Sequence, residues 1–253
     1  INVDLSQEFS TLETILEGVS LLGDYTAKTK DIVLAQGELL SAKVVASLLL
    51  KEGIETNVTD TRSLIITDDN FGNAQPIHPI SKANIVAYFK KNATVLNVVT
   101  GFIATNKNGD TTTLGRNGSN YTAALFANYL EAEELQNYTH VNGIFTANPD
   151  LVADAKKIEE LSFSEANELA NFGATILHAK TIIPLLEKNI SLRILNTFNK
   201  EDTGTLITAT SSKKGIKSIS TISNVSLLNF EGRGLLGKVG VDARIFRVLS
   251  DKN

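Results

Sequence analysis

The stretch Thr111-Thr-Thr-Leu-Gly-Arg-Asn-Gly-Ser-Asn-Tyr-Thr-Ala-Ala124 decides how the rest of the chain is read. The β-branched residues at its start favour a strand, Gly115 and Gly118 interrupt the pattern, and Ser119 is a residue type that caps a helix running to about Ala132. Strand, glycine turn and helix start in succession gather free backbone N–H groups at the positive end of a helix dipole, which favours an anion. Arg116 adds a planar guanidinium suited to a carboxylate or phosphate. The same residues also describe an ordinary turn, with Ser119 as the cap and Arg116 in a surface ion pair. The spacing is neither GxGxxG nor GxxxxGK[ST], so neither a Rossmann nor a P-loop reading is supported.

Outward from this stretch, helical and extended patterns alternate. Residues 8–25 place Phe9, Leu12, Ile15, Leu16, Val19 and Leu22 at steps of three and four, an amphipathic helix. Residues 26–52 form a longer helical pattern stopped by Gly53, with Glu38 in its middle. Strands are expected at 55–59 and 64–67, a turn at 68–72, a helix at 82–90 and a short apolar strand at 94–99. Downstream, helices are expected at 164–172 and 178–188 and a strand at 192–196. The alternation predicts a layered α/β domain with a mostly parallel central sheet.

Residues 208–217 lose periodicity and turn to Ser, Thr, Lys and Gly, which reads as a linker. A strand at 218–230, a tight turn at 231–234 and a helix at 235–249 follow. Such a unit cannot bury its own apolar face, so the chain is expected to stop inside a second domain. The division is residues 1–209, a linker at 210–217, and 218–253.

Composition bounds the function. With 253 residues, 42% hydrophobic and 21% charged, the chain can bury a sizeable core. A net charge of −4 without a basic stripe argues against nucleic acid as a partner. The absence of cysteine excludes disulfides and thiolate metal sites. The first residues carry no basic n-region of a signal peptide, and no uninterrupted apolar run reaches the ~18–20 residues of a membrane span, so a cytoplasmic protein without a membrane partner is expected. The chain contains no methionine, as expected of a processed, excised or incompletely represented polypeptide. His78, His140 and His178 are too scattered for a metal site, and His178 is expected to cap or pack.

Four motifs in order, residues 115–124, Gln36-Gly-Glu-Leu-Leu-Ser41, Phe71-Gly-Asn-Ala-Gln-Pro76 and Phe172-Gly-Ala-Thr-Ile-Leu-His178, resemble the aspartate kinase family. Residues 137–199 in particular resemble the kinase module of bifunctional aspartokinase–homoserine dehydrogenases. The resemblance implies an amino-acid-kinase three-layer sandwich that uses ATP and Mg²⁺ to phosphorylate the β-carboxylate of L-aspartate. It implies that Glu38 binds the substrate amino group, and a carboxylate on an apolar helix face does need a cationic partner. It assigns Arg116 to a substrate carboxylate, Ser119 and Asn120 to the substrate and the transferring phosphate, and Thr139, His140, Phe145, Asp150 and Thr175 to the nucleotide. Glu38, Arg116 and the amides at Ser119 are thereby expected to face one cleft.

This sequence departs from the family at several of those positions. Asn120 stands where an aspartate is usual, and His140 and Phe145 replace an Asp and a Tyr. Asp150 and Thr175 stand where Arg and Lys are common, which removes two positive charges near the expected polyphosphate and adds a negative one. The Lys-x-Gly-Gly-Thr loop with which the family begins is not in this sequence, so the resemblance implies little kinase activity for this chain alone and an uncovered sheet edge. Glu231-Gly-Arg-Gly-Leu235 resembles the turn of an ACT domain, which implies feedback by threonine or lysine and a homodimer. Two rival readings are another amino acid kinase, acting on acetylglutamate or uridylate, and a non-catalytic amino-acid-sensing subunit.

Overall fold

The computed structural model describes residues 3–23, 25–93, 95–171, 178–211, 215–221, 225–226, 229 and 240–250. The first two helical patterns form as specified, α1 at Ser6–Leu22 and α2 at Ala27–Lys51. Gly23 ends α1 in the left-handed conformation at φ 63°. Thr26 caps α2, its hydroxyl accepting from Thr29 N at 3.1 Å. The two helices pack together, and Lys43 and Glu8 form an ion pair between them.

By length and composition α2 could cross a membrane, the single helix among the described residues of which this is true. Here it packs by one face on the rest of the fold. It buries Asp31, Ala35, Gln36, Ala42 and Ala46 and lies on the strands that follow. Small side chains on that face let the helix approach the sheet closely.

Strand β1 (Thr56–Thr59) pairs in parallel with β3 (Leu96–Val99). β2 (Ile66–Thr67) pairs in parallel with β4 (Ile103–Asn106), which pairs antiparallel with β5 (Thr111–Thr113). β6 (Glu134–Thr139) pairs in parallel with β10 (Ser191–Asn196). β10 runs antiparallel to β11 (Thr205–Thr208), which is parallel to β9 (Glu160–Ser162). β7 (Ile144–Phe145) and β8 (Lys157–Ile158) form a separate antiparallel pair. The class is α/β, but among the described residues the pairing is mixed and divided among four short sheets. A tight turn explains one antiparallel pair: Asn106 Oδ1 accepts from Asn108 N and Asp110 N at 3.0 and 2.8 Å, folding β5 back on β4.

Helices α3 (His78–Lys91), α4 (Gly118–Leu130), α5 (Phe163–Asn171) and α6 (Ala179–Lys188) cover the sheets. α4 belongs to both cores. Tyr121, Leu125 and Tyr129 face a cluster with Leu64, Ile65, Ile85 and Leu114, while Ala124 and Ala127 face one with Phe163, Ile182, Leu192 and Ile207. A helix apolar on two faces is a buried helix, which fixes its N-terminus rigidly.

Several expectations change. Ser119 does not cap α4. Gly115 at φ 75° and Asn117 at φ 57° turn the chain early, so Asn117 is the N-cap and Ser119 already lies in the first helical turn. β4, β6 to β9 and β11 were not foreseen, because they are runs of two to six residues whose strand state comes from pairing. The strand expected at 218–230 does not form among the described residues there. The chain divides into two compact units, Ile1–Thr221 and Ile222–Asn253. In the second, α7 spans Val241–Ser250, and the turn expected at 231–235 lies outside the described residues.

Candidate functional site

Asp31, Leu34 and Glu38 stand on one face of α2, at steps of three and four, and line a cavity of about 550 Å³. The facing wall is the turn from Thr113 through Gly115 and Arg116 to Ser119 and Asn120 at the start of α4. Glu38, Arg116, Ser119 and Asn120, separated by up to eighty-odd residues in sequence, thus border one space.

Asp31 holds the two walls together. It is fully buried and accepts from Gly72 N at 2.8 Å, Thr113 N at 2.9 Å and the Thr113 hydroxyl at 2.8 Å. The loop 71–76 backs the glycine turn so closely that a Cβ on Gly115 would lie 2.7 Å from Asn73 Oδ1 and 3.1 Å from Gly72 O. Lys180 clamps both, its Nζ 2.6 Å from Asn73 Oδ1 and 3.4 Å from Leu114 O. Burial lowers the Lys180 pKa. His178 caps α6, its Nδ1 accepting from Lys180 N at 3.2 Å. Burial first, then the charges of Lys180 and Arg116, hold the His178 imidazole below its usual pKa.

Burial pushes the Glu38 carboxyl up, and a hydrogen bond from the Gly101 backbone opposes this only in part. No side-chain cation is paired with it among the described residues. Arg116 is exposed and, among the described residues, likewise has no ion-pair partner. A half-buried carboxylate and a free guanidinium therefore face one cavity with their charges unanswered. No side chain caps α4; Gly118 N turns back to Gly115 O at 3.0 Å, and the next amides, those of Ser119 and Asn120, are left open toward the same space.

The backbone at the floor is strained and crowded. Phe102 sits at φ 69°, which costs a bulky residue on the order of 1–3 kcal/mol. Phe102 N donates to Thr122 Oγ1 at 3.0 Å, and Leu114 N donates to Phe102 O at 2.9 Å, which hold it there. Next to it, a Cβ on Gly101 would fall 2.8 Å from Ser119 Cβ.

A second cavity, of about 790 Å³, is lined by Asn137 to Val141, by Gly143 to Phe145, by Ala147 to Asp150, by Leu169 and by Ser218 to Thr221. Thr139, His140, Phe145 and Asp150 all border it. Thr175 lies outside the described residues. Asn120 lines both cavities. Among the described residues, no group of three or more His, Asp or Glu converges as a metal site.

Asp31, Phe102, Lys180, Tyr138 and the 218–221 segment were not foreseen. Only Asp31 left a signal, an acidic residue two helical turns before Glu38 on the same face.

The sequence matches the amino acid kinase family over residues 4–196. It is 32% identical over 98% of its length to a chloroplastic bifunctional aspartokinase/homoserine dehydrogenase 2 of Zea mays, and spans 28% of that protein. It is 31% identical over 96% of its length to the lysine-sensitive aspartokinase 3 of Escherichia coli, spanning 56% of it. The crystal structure of E. coli aspartokinase III with aspartate and ADP superimposes with a TM-score of 0.79 at 30% identity, over 83% of this chain and 46% of that one. The lysine- and aspartate-bound form gives 0.81 at 27% identity, over 99% and 56%. The chain thus spans between about a quarter and just over half of these relatives.

Proposed function

The chain belongs to the amino acid kinase family, and from that premise we propose that it forms the substrate and nucleotide sites of an aspartate kinase. The reaction transfers the γ-phosphoryl group of ATP to the β-carboxylate of L-aspartate. The bond from phosphorus to the bridging oxygen breaks, a carboxylate oxygen bonds to phosphorus, and ADP leaves. The acceptor is already ionised near neutral pH, so no general base is required.

The observation that carries the reading is that Asn120 borders both cavities. Acceptor and donor must meet in line, and phosphoryl transfer depends on positioning and charge stabilisation. Glu38, desolvated and without a cation, takes the aspartate ammonium. Arg116 takes a carboxylate in a forked pair. The open amides at Ser119 and the Asn120 side chain face the charge that develops on the equatorial oxygens. An amide at position 120 can donate to those oxygens, whereas an aspartate would need a cation between.

Thr139, His140, Phe145 and Asp150, with Thr175, serve the nucleotide. A cavity of about 790 Å³ falls within the range of small-molecule sites. Mg²⁺ neutralises phosphate charge in such reactions, and here it would be held mainly by phosphates and water. Feedback by threonine or lysine at an ACT domain, homodimerisation and a cytoplasmic location belong to the same proposal; the maize relative is chloroplastic by name.

Titration calorimetry of this chain with L-aspartate and with ATP tests the two sites, and hydroxylamine trapping of aspartyl phosphate tests turnover in the full-length protein. Binding of acetylglutamate or uridylate in preference to aspartate would overturn the proposal. So would amino-acid binding with no affinity for ATP, which belongs to a sensor.

A further inference from the structure

The segment Lys217–Thr221 lies where the sequence reads as linker passing into a new strand, yet it is fastened to the first unit at three points. Lys217 Nζ pairs with Glu165 at 2.8 Å to Oε1 and 3.0 Å to Oε2, with a side chain only 12% exposed. It also bonds the Ser211 hydroxyl. The Ser218 hydroxyl donates to Phe145 O at 2.9 Å, and Ile219 N donates to Thr146 O at 2.9 Å. The last bond ties the segment to the residue that follows β7.

These attachments aim the segment at the second cavity. Ser218, Ile219, Ser220 and Thr221 line it together with Phe145 and Leu169. Glu165, which receives Lys217, also closes the start of α5: Ser162 N donates to Glu165 Oε2 at 2.7 Å, and Glu165 N donates to Ser162 Oγ at 3.2 Å. α5 carries Leu169 into the same cavity wall. One carboxylate therefore fixes two parts of the lining. Burial alone would raise the Glu165 carboxyl, but Lys217 and Ser162 outweigh it and hold the group below its usual pKa.

We propose that Lys217–Thr221 is a strap that forms part of the nucleotide site, with Lys217 as its positioning residue. Ile219 adds apolar surface beside Phe145 and Leu169 for a nucleobase, and Lys217 acts through Glu165 without touching the ligand. The strap runs directly into the second unit at residue 222. By linkage, whatever displaces it weakens nucleotide binding, and bound nucleotide holds it down. The inference rests on the assignment of this cavity to a nucleotide.

The test uses the whole chain with Lys217→Ala, Lys217→Glu and Lys217→Arg. ATP and L-aspartate affinities are measured by calorimetry, and hydrogen exchange of residues 217–221 is followed with and without ATP. We expect Lys217→Glu to weaken ATP binding about tenfold, within the range of ordinary coupling between linked equilibria. Lys217→Arg should retain wild-type affinity, aspartate affinity should not change, and ATP should slow exchange in the strap. Unchanged ATP affinity in Lys217→Glu, equal loss of ATP and aspartate binding, or strap exchange indifferent to ATP would overturn the inference while leaving the nucleotide site in place. A wild-type chain that binds no ATP would overturn both.

Discussion

Asp31 grips Thr113 with both carboxylate oxygens, Oδ1 accepting from the hydroxyl at 2.8 Å and Oδ2 from the amide at 2.9 Å, across 82 residues of chain. Oδ2 also accepts from Gly72 N at 2.8 Å. One buried side chain thereby sets the distance between the Glu38 helix and the Arg116 turn.

Asp31→Ala would strand all three of these donors. An unsatisfied buried donor costs roughly 1–3 kcal/mol, so the variant should lose about 3 kcal/mol or more. Urea denaturation checks this, and a loss under about 1 kcal/mol would show that the grip is dispensable.

Arg116→Ala should behave in the opposite way. The side chain is exposed and has no ion-pair partner among the described residues, so stability should stay within about 0.5 kcal/mol. Loss of a charge-assisted pair to a substrate carboxylate removes about 1.5–3 kcal/mol. That is roughly a 10- to 150-fold weaker affinity for aspartate. Arg116→Lys should recover only part of it, because the ammonium cannot form the fork. Calorimetry on the three proteins decides, and equal affinities would remove Arg116 from the site.

Glu38 makes a prediction in pH. Its folded pKa is raised by burial, so the folded state favours the protonated form. That contribution to stability is full below the ordinary glutamate pKa and is lost as pH rises through the raised one. Glu38→Gln should therefore be more stable than wild type at neutral pH, with the gap closing as pH falls from the raised pKa to the ordinary glutamate one. Aspartate binding needs the ionised form opposite its ammonium, so wild-type affinity should fall on acidification, starting at a pH above that expected of an unperturbed glutamate. Paired pH series of melting temperature and aspartate affinity test both slopes.

Gly101→Ala would bring a Cβ to 2.8 Å from Ser119 Cβ and 2.9 Å from Ser119 Cα. The neighbour includes the first turn of α4, a helix buried on two faces that cannot retreat cheaply. Overpacking of this kind costs about 1–3 kcal/mol. A lowered melting temperature with weakened aspartate binding is expected, and an unchanged melting curve would show that the floor yields.

The sequence was most legible where local physics suffices. The apolar steps from Phe9 to Leu22 are enough for α1, and Thr26 and Gly53 bracket α2 by their own chemistry. The glycine turn before α4 was legible as an anion-favouring helix start, although Asn117 rather than Ser119 caps it. β4, β6 to β9 and β11 were not legible, since such short strands take their state from the partners they pair with rather than from their own residues. Lys180 looked like any lysine opening a helix; its clamp on Asn73 depends on a contact across 107 residues.

By itself, then, the sequence determined the α/β class, the family motifs and the chemical character of Glu38, Arg116, Ser119 and Asn120, because these follow from periodicity and side-chain type. Only the tertiary structure decided that the four share a cavity, that Asp31 ties its walls, and that residues 217–221 line the neighbouring one. Those facts rest on hydrogen bonds and close contacts between segments far apart along the chain, and no local pattern records which distant residue a buried polar group will meet.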